Sequence, residues 1–180
     1  MSFDESLSDA GWKPLRPVAV YAVGAASALL LAIHAVSAEG WIPLVDSANL
    51  ALHEAGHPII GLFSNQLMVY GGTIFQLLFP ALVVVHFVRE RDAVGAATGG
   101  VWLGENLLNI ARYMADAREQ VLPLVGGGEH DWTEIFSRWG VLSRDVRIAG
   151  FTLWLGYALM LGVVVWLWRR FKEQQTMEAM

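Results

Sequence analysis

Residues 67–88 read LMVYGGTIFQLLFPALVVVHFV, a run of twenty-two positions without one charged side chain. A bilayer core needs about 20 apolar residues per helix, so this stretch predicts a membrane-spanning helix. Two further runs have the same character. Residues 17–38 are uncharged, as are residues 148–168, which end at Trp166 and Trp168 before Arg169, Arg170 and Lys172. Aromatic rings followed by basic residues mark a membrane–water boundary. The composition agrees: the 180 residues are 55% hydrophobic and 16% charged, against roughly 25% charged in soluble domains.

The chain therefore reads as a single integral membrane domain over residues 1–180, with a polar N-terminal tail at 1–16 and an extramembrane loop at 117–147. The acidic Asp4, Glu5 and Asp9 ahead of the first run do not suit the positive n-region of a secretory signal, so that run is expected to be a retained helix. A net charge of −5, with twelve Lys and Arg scattered singly or in pairs, leaves no basic stripe for nucleic acid. The absence of cysteine excludes disulfides, thiolate metal sites and thiol nucleophiles.

Two more hydrophobic segments, 41–63 and 93–116, carry polar residues in a pattern. If the first does not cross, one side collects Lys13, Arg16, Arg89, Arg91, Arg169, Arg170 and Lys172, and the other Arg118, Arg138, Arg144 and Arg147. The positive-inside rule then favours four spans with a cytoplasmic N-terminus. The expected fold class is an all-α polytopic bundle: four spanning helices plus a re-entrant or bent helix, with five spans as the alternative. Pro43 and Pro58 fit a bent or broken segment.

That segment contains His53-Glu54-Ala55-Gly56-His57, an H-E-x-x-H motif. Residues four apart on a helix lie within about 40° of each other, so both imidazoles can hold one metal ion. Glu54 falls beside them, where a general base belongs. Asp46 and Asn49 share the stripe of His53 and could accept a ligating ring's other N–H, or simply cap the helix. The bland reading of the motif is two histidines bonded to neighbours. The pentapeptide and the hydrophobic layout resemble the integral membrane zinc metallopeptidases of the site-2 protease type. That resemblance implies Zn at His53 and His57, Glu54 as the catalytic residue, and a third ligand on a later segment.

Two candidates for that ligand stand out, His130 and Asp116. Glu105, Asn109, Arg112, Tyr113 and Asp116 lie within about 60° of Asn109 on a helical wheel, a polar face that is costly in a membrane unless it is paired or lines a site. Arg112 and Asp116 are also spaced for an ion pair. In the loop, Gly126-Gly127-Gly128 precedes Glu129-His130-Asp131-Trp132, so a flexible neck could fold His130 over the site, with Asp131 orienting an imidazole and Trp132 anchoring at the interface. His130 is expected as the ligand and Asp116 as its supporting partner. Asn109 and Tyr113 could bind a substrate carbonyl. Glu105, about 16 Å up the helix from Asp116, is a weaker candidate; lone His34, His86 and Gln76 read as bonds within the bundle.

These residues point to a membrane-embedded zinc-dependent hydrolase, a metallopeptidase acting on a membrane-associated polypeptide, with lipid hydrolysis using the same groups. The alternative from another class is a non-catalytic subunit of a larger membrane complex, its histidines ligating a structural metal or cofactor. Membrane lipid is a partner under either reading.

Overall fold

The computed structural model describes residues 11–37, 40–125 and 129–180. Asp4, Glu5, Asp9 and the neck Gly126–Gly128 fall outside the described residues. Within them the regular structure is helical: α1 Pro17–Val36, α2 Val45–Gly61, α3 Met68–Arg89, α4 Ala93–Ala115, α5 Asp131–Arg138 and α6 Asp145–Glu178. The 117–147 loop thus contains a helix, α5, followed by a 3₁₀ turn at Leu142–Arg144.

Among the described residues, three stretches are long and apolar enough to cross a membrane: Pro17–Val36, Met68–Arg89 and Leu142–Glu178. α1 starts on Pro17, where a missing N–H costs nothing. α4 has the length of a span, 23 residues, but a different surroundings: 13 of them are buried, among them Gly99, Gly100, Gly104, Glu105 and Asn106. Packed among α1, α3 and α6, it is shielded by protein, so its polar groups face partners instead of lipid.

Two glycine crossings set the helix spacing. Gly104 of α4 lies against Gly156 of α6, where a Cβ on Gly156 would stand 2.8 Å from the Gly104 carbonyl oxygen. Gly56 of α2 meets Gly71 of α3 backbone to backbone, and a Cβ on Gly71 would stand 2.7 Å from the Gly56 carbonyl carbon. Small residues at such contacts let helices in lipid approach closely. Gly56 lies inside the H-E-x-x-H motif, so the close approach is made at the motif itself. Next to it, a Cβ on Gly72 would collide with the His53 ring at 2.5 Å.

One end of the bundle gathers three separated pieces of chain. The Lys13 N–H donates to the Arg91 carbonyl at 2.8 Å, beside the turn between α3 and α4. The Leu15 N–H donates to Gln174 Oε1 at 2.7 Å, late in α6. At the opposite end of α4, the eight-residue α5 buries Trp132, Ile135 and Phe136 against Ile110, Met114, Ala117 and Ala149. Trp132 is 5% exposed, so it packs into protein and is not the interfacial anchor expected from the sequence. Each such buried side chain is worth about 1.5–3 kcal/mol, which holds this short helix in place.

Candidate metal centre

His53 and His57 project from one face of α2, their ring centroids 4.9 Å apart. Asp131, the first residue of α5, meets both: its Oδ2 is 2.8 Å from His53 Nε2 and 3.2 Å from His57 Nε2. One ligand atom from each of the three residues lies within 4.8 Å of the others, a group that could hold a metal ion. His53 and Asp131 are buried and His57 half-buried.

The outer ring nitrogens are also engaged. His57 Nδ1 is 2.9 Å from the Met68 carbonyl oxygen, and His53 Nδ1 is 3.2 Å from Gln76 Oε1. All four imidazole nitrogens therefore face oxygen acceptors. A neutral imidazole has one N–H; if each ring gives it to its outer acceptor, two Nε2 lone pairs converge on the Asp131 carboxylate. Three electron-rich atoms in contact need a cation between them, either added protons or a metal ion. Two imidazoles and a carboxylate suit zinc, whose bonds to such ligands run about 2.0–2.2 Å, and the fixed outer N–H groups are the support such ligands usually have. The donor set passes this test of fit. At Asp131, burial pushes the carboxyl up, but the adjoining His53 and His57 rings outweigh it and hold the group below its ordinary range.

The expected third ligands lie elsewhere. His130 is the N-cap of α5: its Nδ1 accepts from the Thr133 N–H at 3.3 Å, leaving its Nε2–H toward Asp116 Oδ2, 3.3 Å away. Nδ1 is thus taken by the cap, and Nε2 lies at ion-pair distance from Asp116. Asp116 in turn accepts from the Val121 and Leu122 N–H groups at 2.9 and 3.1 Å, closing the chain as it leaves α4. These two residues form a pair that seats α5. The carboxylate that reaches the histidines is the one expected only to orient an imidazole. Arg112 places its guanidinium 5.3 Å from the Trp41 ring centroid.

Tyr113 ties the two groups together. Its ring lies 4.2 Å from that of His130 and 5.8 Å from that of His53, and its hydroxyl oxygen accepts from the Asp131 N–H at 3.2 Å. Asn109 donates to Asp46 Oδ1 at 2.8 Å and accepts from Gln76 Nε2 at 2.6 Å. Asp46 therefore reaches His53 only through two amides, and its Oδ2 also accepts from the Ile42 N–H at 2.5 Å, just ahead of α2. Asn49 directs its hydrogen bonds elsewhere, to Glu105 and Trp102 at 2.7 and 2.9 Å. His34 bonds the Gly40 carbonyl at 3.0 Å.

A half-open cavity of about 970 Å³ lies over the centre. Glu54 lines it beside His53, His57 and Asp131, as do Tyr113 and Asn109. Apolar wall comes from Leu50, Leu122, Leu124 and Val125. Gln76 is the glue between helices expected of it, bonding His53 of α2 and Asn109 of α4; its place one turn along α3 from Gly72, which admits the His53 ring, was not readable from a lone glutamine. No family model matches the sequence, and comparison with curated proteins and with solved structures returns no significant match.

Proposed function

We propose that this chain is a membrane-embedded zinc-dependent hydrolase, and within that class a peptidase acting on a membrane-associated polypeptide. The observation that carries the reading is the convergence of His53 Nε2, His57 Nε2 and Asp131 beneath a cavity that Glu54 also lines. Three protein ligands leave a fourth position for water or substrate, the arrangement of catalytic zinc sites. Zinc in such a site supplies Lewis acidity, polarising a carbonyl and acidifying water.

The rest of the work falls to side chains. Glu54 takes a proton from the attacking water as its oxygen bonds to the scissile carbonyl carbon, then passes it to the leaving amine. The Tyr113 hydroxyl, whose oxygen accepts from Asp131, keeps its own hydrogen to donate to the carbonyl oxygen. A helical substrate has no free carbonyl to offer, so it must unwind first; in lipid that is tolerated only where protein or water satisfies the backbone. The polar floor and apolar wall of the cavity suit a short unwound apolar stretch.

The topology that goes with this reading is four crossings with α2 half-inserted. Lys13, Leu15, Arg91 and Gln174 meet at one end, which supports an even number of crossings between residues 15 and 91 and again between 91 and 174. α1 with α3, then α4 with α6, provide them. α2, 17 residues or about 26 Å long, falls short of a ~30 Å core. The end holding Lys13, Arg89 and Arg170 is then cytoplasmic. Single-cysteine labelling at Lys13, Glu90 and Glu173 should occur from one face; labelling of Lys13→Cys and Glu173→Cys from opposite faces contradicts this topology.

The functional test is Glu54→Gln in proteoliposomes carrying a labelled single-span polypeptide. Metal content should stay and cleavage fall at least 100-fold, the scale of a lost general base. Unchanged turnover contradicts the role given to Glu54. Stable copurification with other membrane subunits, with no hydrolysis by the parent chain, would favour a non-catalytic subunit.

A further inference from the structure

Asp46, Asn109 and Gln76 come from three different helices, yet they form one line of hydrogen bonds that ends on His53. The polarity of that line is fixed at its far end. A carboxylate only accepts, so Asp46 obliges Asn109 to turn its NH₂ group toward it. The Asn109 carbonyl then faces Gln76, which must present its own NH₂ there. That leaves the Gln76 carbonyl oxygen toward His53 Nδ1, which must carry the ring's proton. His53 Nε2 is left as a lone pair facing His57 and Asp131.

The alternative polarity is otherwise attractive. With both amides turned over, Gln76 would donate to Nδ1 and the proton would sit on Nε2, bonded to Asp131 Oδ2 only 2.8 Å away. Nothing at His53 itself forbids that tautomer, and in it the ring cannot bind a metal through Nε2. Asp46 is 1% exposed, Gln76 2% and His53 6%, so water does not scramble the sequence of donors. Glu105 is engaged by Asn49, whose amide donates to its Oε2 at 2.7 Å. Asp46 accepts on both oxygens, from the Asn109 amide at Oδ1 and from the Ile42 N–H at Oδ2.

We infer that Asp46 is a positioning residue which sets the tautomer of His53 through Asn109 and Gln76, keeping Nε2 free for a ligand. Its importance for metal binding rests on the centre proposed above; the tautomer does not. Asp46→Asn removes the fixed end, since an amide can donate or accept, and both polarities become available.

The test uses the full-length chain, labelled with ¹⁵N-histidine and freed of metal, at about pH 9, above imidazole titration. The parent should show His53 protonated on Nδ1. Asp46→Asn should shift it toward Nε2–H and lower zinc affinity 10–100-fold, the loss typical of an outer partner of a metal ligand. Asp46→Asn combined with Gln76→Glu moves the fixed acceptor next to the ring: the carboxylate at 76 receives the His53 Nδ1–H and the Asn109 NH₂, and the amide at 46 donates to Asn109. The double variant should recover the Nδ1–H tautomer and zinc affinity to within a factor of a few. A purely structural Asp46 offers no reason for that rescue. Retention of the Nδ1–H tautomer in Asp46→Asn overturns the inference, as does a double variant no better than the single. If Asp46→Asn is too unstable to purify, the double variant decides alone, and its failure to fold counts against the relay. A parent chain that holds no zinc would defeat the proposed centre, while the tautomer comparison would still judge the relay.

Discussion

His53 and His57 are held by one helix, four residues apart, at a point where α2 and α3 touch backbone to backbone through Gly56 and Gly71. Asp131 reaches the same spot from α5, eight residues long and seated by Trp132, Ile135 and Phe136. In the first region the geometry is a property of the helix; in the second it exists only after docking. A centre built this way has a preset half and a half that can be withdrawn, and perturbing either should give a distinct signature.

The largest effect is expected from Phe136→Ala. Emptying a fully buried aromatic site costs about 3–5 kcal/mol, more than a short helix can spare. Hydrogen exchange should show α5 unprotected while α2 and α3 stay protected, with zinc affinity lost because Asp131 leaves. Loss of protection throughout would mean the two regions are one cooperative unit.

Gly56→Ala attacks the other half. Its methyl group would meet the Gly71 carbonyl and the Phe75 Cβ, 2.9 Å away, and overpacking of this kind costs about 1–3 kcal/mol. Thermal unfolding in detergent should fall, and α2–α3 protection with it. Gly162→Ala, with nothing within 4 Å of the new atom, serves as the control and should change neither.

These contrasts also explain which features were legible in the sequence. Charge-free runs announced α1, α3 and α6, because lipid imposes composition directly. The H-E-x-x-H spacing announced the paired imidazoles and placed Glu54 beside them, because helical periodicity alone brings them together. The third member was not legible. His130 and Asp131 are neighbours, and only the way the chain enters α5 decides that the histidine caps the helix while the aspartate, at its first residue, faces α2. Asp116 lay on the right helical face, but the loop beyond it turns back and consumes both its oxygens. α4 was foreseen in extent; that protein and not lipid surrounds its polar face followed from packing with α1, α3 and α6.

A smaller effect is expected at the α5 cap. His130→Ala removes the bond to the Thr133 N–H and should cost about 1 kcal/mol, as lost caps typically do. Zinc affinity should weaken but persist, since Trp132, Ile135 and Phe136 still seat α5.

The smallest is a pH effect at the same residue. Burial holds the His130 imidazole below its ordinary value, with Asp116 opposing the shift. Its neutral form therefore stabilises the docked helix above the unfolded value of about 6.5, and that contribution is lost as pH falls through the lower folded value. Hydrogen-exchange protection of metal-free α5, taken relative to the intrinsic rate at each pH, should fall below about pH 6.5 while that of α2 and α3 holds. The low Asp131 carboxyl acts in the same direction only below about pH 4.

The central claim, that Asp131 completes the set begun by His53 and His57, is tested most directly by zinc titration of the purified chain and three variants. The parent should bind about one zinc per chain. Asp131→Ala should lose binding to the same extent as His53→Ala, whereas Asp116→Asn should keep it with a loss of no more than about 10–100-fold. Parent-like binding by Asp131→Ala, or zinc retained after both His53 and His57 are replaced, would contradict the account.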